Sequence, residues 1–455
     1  MKCIEDEIPF ELPEGWEWCR VRDIAAVKGG KRLPKGVGFS PCRTAHAYIR
    51  VTDMKNHCIN TDDLKYISEE VFLQIKNYTI SKDDLYVTIA GTIGVTGEVP
   101  TELDGMNLTE NAVKITNIQI NKNYLCLIIQ SEFVQQQFQD KTHQVAMPKL
   151  ALERILSTLI PVCTITTQSA MVSKFVEMDS LINQIREEKE ILAETVSLTK
   201  SKILDLAIRG KLVPQNPDDE PASVLLERIR AEKEELIKAG KIKRDKKESV
   251  IFKGDDNSYY EKVGAEIRCI DSEIPFEIPD GWMYERLGNI CSIARGGSPR
   301  PIENYLTDDE NGLNWIKIGD TEQGGKYIYS TKEKIRPEGL SKTRYVCSGD
   351  FLLTNSMSFG RPYILRTNGC IHDGWLVIGG IEIAFHQDYL YYMLSSSIMY
   401  NALSSLAVGS TVKNLKSDSV KSLLVPIPPL AEQACISRQI ENYFATMLPI
   451  ERSLS

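Results

Sequence analysis

Two short loops hold the residues whose types and spacing suit a definite chemistry. The first is Lys28-Gly-Gly-Lys-Arg-Leu-Pro-Lys35, and the second is Arg295-Gly-Gly-Ser-Pro-Arg300. Glycine lets a backbone approach a ligand closely, and lysine and arginine reach phosphates and guanine edges. The first loop lies in an interval where Arg20, Arg22, Lys28, Lys31, Arg32, Lys35, Arg43, Arg50 and Lys55 face only Asp23 and Asp53. After the second come Lys326, Lys332, Lys334, Arg336, Lys342, Arg344, Arg361 and Arg366, against Glu333, Glu338 and Asp350. One basic cluster is often just a solvated surface. Two at corresponding levels of one chain point to double-stranded DNA. The residues expected to touch it are Lys28, Lys31, Arg32, Lys35, Arg50 and Lys149, then Arg295, Ser298, Arg300, Lys317, Arg361, His372 and Lys413.

The enzymatic readings find less support. His372-Asp373-Gly374 and Thr109-Glu110-Asn111 occupy corresponding loops, and a His-Asp pair is a possible acid–base unit. No nucleophile or second carboxylate accompanies it. Pro217-Asp218 with Asp245-Lys246-Lys247 formally matches a nuclease metal motif, but it falls in a charged linker. There is no phosphate-binding Gly-x-x-x-x-Gly-Lys-Ser/Thr loop and no Asn-Pro-Pro-aromatic motif, and Gly91-Thr-Ile-Gly94 reads as a tight turn. The 11 cysteines show no C-x-x-C pair. They fit free thiols in a reducing cytoplasm. The expectation is a chain without catalytic residues, cofactor or metal of its own.

The elements that must position the loops come from a repeat. Ile8-Pro-Phe-Glu-Leu-Pro-Glu-Gly-Trp16 returns as Ile274-Pro-Phe-Glu-Ile-Pro-Asp-Gly-Trp282, with changes only at Leu12/Ile278 and Glu14/Asp280. The same offset, within a residue or two, pairs Gly29-Gly30 with Gly296-Gly297, Asp53 with Asp320, Ile160-Pro161 with Val425-Pro426, and Gln168 with Gln433. Each copy mixes alternating strand patterns with an amphipathic helical stretch, Tyr124–Phe138 and Asp388–Leu403, so each reads as an α+β module. After each module comes a heptad seam. The first is Met171, Phe175, Met178, Ile182, Ile185, Leu192, Val196, Ile203 and Leu206, and the second is Ile436, Ile440, Tyr443, Met447, Ile450 and Leu454. Seams of this kind mark long helices packed on helices. A pseudo-twofold arrangement would set the two antiparallel. The plan is then a first recognition module over 1–165, a spacer helix over 166–210, and a central region with a charged linker over 211–265. A second module comes next over 266–430, and a second helix over 431–455. Within the central region, a helix starting at Pro221 places Leu225, Ile229 and Leu236 on one side.

With 455 residues the chain has room for such domains, and no apolar run is long enough to cross a membrane. The net charge of −8 argues against a protein that grips nucleic acid unaided.

The chain resembles the specificity subunit of type I restriction–modification systems over nearly its whole length. The resemblance rests on Ala207-Ile-Arg-Gly-Lys-Leu-Val-Pro-Gln215 and Asp219-Glu-Pro-Ala-Ser-Val-Leu-Leu-Glu-Arg-Ile-Arg-Ala-Glu-Lys233, which are similar to that family's central conserved region. Val425-Pro-Ile-Pro-Pro-Leu-Ala-Glu-Gln433 looks like its entry into a conserved helix. Gly29–Gly36 with Arg50–Met54, Ala90–Gly94 and Asn107–Asn111 looks like one variety of its target recognition domains. Arg295–Pro299 with Trp315 and Asp320 looks like another. One departure is Ile160-Pro-Val-Cys-Thr-Ile-Thr-Thr-Gln168, where the family shows a Pro-Pro pair before the glutamine. The resemblance implies a noncatalytic DNA-reading subunit that holds two modification (methyltransferase) subunits and, with two restriction subunits, forms a nuclease. S-adenosylmethionine and magnesium would then bind those partners. The rival readings are a nuclease or methyltransferase acting alone, and a purely structural coiled-coil protein.

Overall fold

A computed structural model describes residues 8–139, 149–242, 244, 248–322, 324–356, 359–407 and 414–454. The chain divides into two compact units, residues 1–186 and 187–455.

The first unit is built on two four-stranded sheets. One runs in the order Ala26–Gly29, Ala112–Thr116, Leu85–Thr88, Thr96–Glu98, with all neighbours antiparallel. The other is Lys65–Ile67, His46–Ile49, Met106–Leu108, Thr79–Ile80, and its central pair is parallel. Strand alternation explains how one segment serves two cores. Leu85 and Val87 pack with Val113, Ile115 and the helices α1 (Lys122–Gln130) and α2 (Glu132–Gln139). Tyr86, which points the other way, joins Ile49, Ile80 and Leu108 in the second core.

The second unit repeats the scheme with five-stranded sheets. Ser292–Arg295, Trp375–Gly379, Phe351–Thr354, Pro362–Leu365 and Tyr327–Ile328 form one. In the other, Leu313–Ile316 and Gly369–Ile371 supply the parallel pair again.

Each repeated module closes on its own start with the same clasp. Glu17–Arg20 pairs antiparallel with Leu159–Val162, and Met283–Arg286 with Leu424–Ile427. Behind each pair a buried glutamine ties the strand to a helix. Gln168 accepts from the Asn121 amide at 2.9 Å and donates to the Cys163 carbonyl at 2.7 Å. Gln433 accepts from the His386 amide at 2.8 Å and donates to the carbonyls of Ala384 and Pro428 at 3.0 and 3.1 Å. Tyr124 and Tyr389 donate to the carbonyls of Pro161 and Pro426. Gln433 is fully buried, so Gln433→Ala strands one amide and two carbonyls. It is expected to cost about 3 kcal/mol of unfolding free energy in urea titrations; a loss of a few tenths would show that water replaces the side chain.

The expected single helices over Tyr124–Phe138 and Asp388–Leu403 are each broken by a serine. α1 gives way to α2 at Ser131, and α5 (Gln387–Ser395) to α6 (Ser397–Leu406) at Ser396. Ser396 is extended (φ −68°, ψ 152°) and caps α6 by accepting from the Met399 amide at 3.3 Å.

Two long helices come after the modules: α3 (Ile165–Ile208), and α7 (Leu430–Leu454) at the end of the chain. Past α3, Gly210 sits at φ +66°, where a Cβ would lie 2.4 Å from the Pro279 ring, so only glycine fits. Within the second unit Lys200 reaches Glu451 at 2.6 Å and lies over the Phe444 ring. Ile436 and Ile440 meanwhile share a core with Ile203, Leu204, Ala207 and Ile208. These contacts make α7 antiparallel to the end of α3. In the first unit the matching seam positions Met171, Phe175, Met178, Ile182 and Ile185 are 40–58% exposed.

Helix α4 (Ala222–Lys238) starts where Pro221 predicts and buries Leu225 and Ile229, but Leu236 is exposed. The charged linker differs from expectation. Ser249–Lys253, Tyr259–Val263 and Glu266–Cys269 form an antiparallel meander. Its central Glu261 is bound by Arg268 and Arg286.

Candidate nucleic-acid interface

In the first unit the basic loop leaves the end of strand Ala26–Gly29. The Gly30 amide donates to Ala112 and the Lys31 amide to Leu108, pinning the loop beside Thr109 and Glu110. A Cβ on Gly30 would lie 2.1 Å from the Thr109 carbonyl oxygen, so the loop approaches only because the residue is glycine. In the second unit Gly296 donates to Trp375 and Gly297 to Ile371, and a Cβ on Gly296 would lie 2.3 Å from the His372 carbonyl oxygen. The structural match is therefore Gly30 to Gly296, one residue off the pairing that the doubled glycines suggest. The same match sets Thr109-Glu110 against His372-Asp373.

Glu110 is the node of the first loop. Arg32 Nε donates to its Oε1 at 2.6 Å, Thr109 Oγ1 lies 3.2 Å from Oε2, and Lys149 Nζ donates to its main-chain carbonyl at 3.2 Å. The Tyr48 hydroxyl donates to the Lys31 carbonyl at 2.7 Å and sits 3.4 Å from Oε2. Burial works against ionisation of Glu110. The Arg32 hydrogen bond and the residue's own amide outweigh it, holding the carboxyl below the usual carboxylate range. Burial also pushes the Tyr48 phenol up to about 12. Lys31 reaches over the Tyr78 ring, and Lys28 and Lys35 are exposed.

Asp373 is the node of the second loop. Ser298 Oγ donates to its Oδ1 at 2.8 Å and Arg300 Nη2 to its Oδ2 at 3.1 Å. Its carbonyl takes Arg295 Nε and Asn355 Nδ2, both at 2.8 Å. Burial pulls its carboxyl up, but Ser298, His372 and the two arginines hold it down. In both copies, then, the carboxylate binds an arginine of the loop and the carbonyl takes a second cation.

The other expected residues divide. Arg50 and Lys317 occupy equivalent caps, their amides donating to Asp53 and Asp320 at 2.8 Å. The Arg50 guanidinium binds Asp53 and Asp63, and Lys317 pairs with Glu333. His372 is mostly buried, with Nδ1 2.6 Å from the Gly374 amide and Nε2 3.2 Å from the Ile318 amide. Burial pushes its imidazole below the ordinary value, and because a neutral ring has a single acceptor nitrogen it holds the loop through one of these two amides. The Arg361 side chain lines a cavity of about 800 Å³ with Ser197, Ser201, Tyr391 and Tyr400, and does not join the Asp373 cluster. Lys413 lies outside the described residues. Sequence reasoning set Glu110 and Asp373 in corresponding loops but weighed the second only for acid–base chemistry, so it missed both as nodes for the arginines. Their matched position in the repeat was the available signal.

Comparison with known proteins shows the same two-part pattern. The family model described as the type I restriction modification DNA specificity domain matches residues 13–194 and again 279–454. The type I restriction enzyme EcoEI specificity subunit of Escherichia coli is 24% identical, over 98% of this chain and 80% of its own length. A structure of the HsdS subunit from Thermoanaerobacter tengcongensis superposes with TM-score 0.54 at 17% identity, covering 99% of this chain and 94% of that one. Another, solved for complex assembly and conformational transition of the type I R-M system, gives TM-score 0.60 at 16% identity, over 98% and 94%. With the domain present twice, each copy an α+β module followed by a long helix, the chain belongs to the family of type I restriction–modification specificity subunits.

Proposed function

We propose that this chain reads a bipartite DNA site for a type I restriction–modification complex, one half per recognition domain. The observation that carries the reading is the repeated node: two loops at equivalent places, the first with Arg32 and the second with Arg295 and Arg300, each bound by a single acidic residue. Phosphate contacts from Lys28, Lys31 and Lys35 would fix register, and arginine edges would supply sequence information. The helices after each module would set the gap and offer surface to partners. Two modification and two restriction subunits would supply S-adenosylmethionine, magnesium and the chemistry, leaving this chain noncatalytic. Its proposed target, cellular DNA, favours a cytoplasmic location. The test is the methylome of cells with and without the gene. A split motif that disappears on deletion is expected; an unchanged methylome in cells that carry the partner subunits would overturn the reading.

A further inference from the structure

The cations of the two loops are not held alike. Arg32 is engaged through Nε alone, by the Glu110 carboxylate, and its side chain is 79% exposed. Arg295 is likewise engaged through Nε alone, by the Asp373 carbonyl, on an exposed residue. Among the described residues neither guanidinium gives an Nη group to a protein acceptor, so each offers its outer two-nitrogen edge intact. Arg300 is the reverse, because its Nη2 is already spent on Asp373. Lys28, Lys31 and Lys35 have only a point charge on a flexible stem to offer. The outer edge of a guanidinium matches the O6 and N7 acceptors of guanine in the major groove, and bracing at Nε removes the rotamer freedom that binding would otherwise have to freeze.

We infer that Arg32 and Arg295 each read a guanine, one in each half of the site, with Glu110 and the Asp373 main chain as positioning groups. This rests on the bipartite-reading function above and sharpens it: each half-site contains at least one G·C pair, and Arg300 is not its reader. The two arginines do not occupy matching positions, since the Gly30–Gly296 match sets Arg32 against Ser298 and Arg295 against Gly29, yet each copy braces one arginine at Nε on its node residue. In the first a side-chain carboxylate grips the arginine, and in the second a carbonyl does.

The test uses the assembled methyltransferase complex carrying Arg32→Lys, Arg295→Lys or Glu110→Gln, with the methylated motif and the salt dependence of nonspecific DNA binding as readouts. Lysine keeps the charge and a phosphate contact but loses the two-pronged edge. Arg32→Lys is expected to relax one guanine position of the first half by about tenfold to a hundredfold while the second half, the gap and the salt slope stay unchanged. Arg295→Lys should do the same in the second half. Glu110→Gln, nearly the same shape, should relax the position that Arg32 reads without weakening nonspecific binding, an outcome that a merely structural residue would not give. Failure of the bipartite reading itself shows separately, as a wild-type complex with no split motif. With a split motif present, a half made wholly of A·T pairs, or lysine variants with the wild-type motif, would overturn the inference.

Discussion

Arg286→Ala is expected to destabilise the second unit by about 3–5 kcal/mol, the cost of stripping one partner from a buried ionic network. The guanidinium is 12% exposed. It donates to both oxygens of Glu261 at 2.9 Å, to Glu273 at 2.7 Å and to the Ser422 carbonyl at 2.9 Å. One side chain thus joins the central meander to the strand Met283–Arg286 and to the residues before Leu424–Ile427. Burial alone would raise the Glu261 carboxyl, but hydrogen bonds from Arg286, Ser249 and Arg268 outweigh it and hold it near 2, below its ordinary 4.5. A carboxyl depressed on folding stabilises above its unfolded pKa, and that stability drains away as pH falls from about 4.5 toward 2. Urea titrations of wild type and variant at pH 7, and at steps below pH 4.5, should therefore converge at the acid end. A constant difference at every pH would mean that lost packing, not charge, is responsible.

The second large effect concerns α3, a single uninterrupted helix of 44 residues that leaves one recognition domain and enters the other unit. Residues 187–190 are exposed, so an insertion there disturbs no core. Four added residues lengthen the helix by about 6 Å and rotate its downstream half by roughly 40°. If the helix fixes the gap, both half-sequences should persist while their separation grows by about two base pairs, at 3.4 Å per pair. Sequencing the methylated sites of the altered complex reads the gap directly. An unchanged gap in an active complex would show that the distance is set elsewhere.

Legibility in the sequence tracked the range of the forces involved. The duplication, the α+β modules and the two long helices were readable because apolar periodicity and the Pro/Gly punctuation are local signals, whereas the packing of the seams was not, since the seam residues from Met171 to Leu192, with Tyr443 and Ile450, are exposed. Serine breaks at Ser131 and Ser396 were not, since each flanking half keeps a helical apolar period and the break lies only in the backbone of one polar residue. The meander was missed because its strand Glu266–Cys269 is exposed and its core strand carries Glu261, so charge hid the alternation. Within the loops, glycine spacing found the place but set the match one residue off. The pinning amides of Gly30 and Gly296 correct it. Which cation faces outward with a free edge depends on long-range partners, 78 residues away for both Arg32 and Arg295, and no local pattern encodes that.

The bare seam of α3 also bears on how the chain behaves as a solute. Met171, Phe175, Met178, Ile182 and Ile185 leave a stripe of half-exposed apolar side chains along α3, the first three bordering a cavity shared with Tyr124, Leu127 and Ile128. Stripes of that kind reward whatever covers them, another molecule of the same chain included. The expected consequence is concentration-dependent self-association of the chain made without its partners, which sedimentation of the purified polypeptide at rising concentration would reveal.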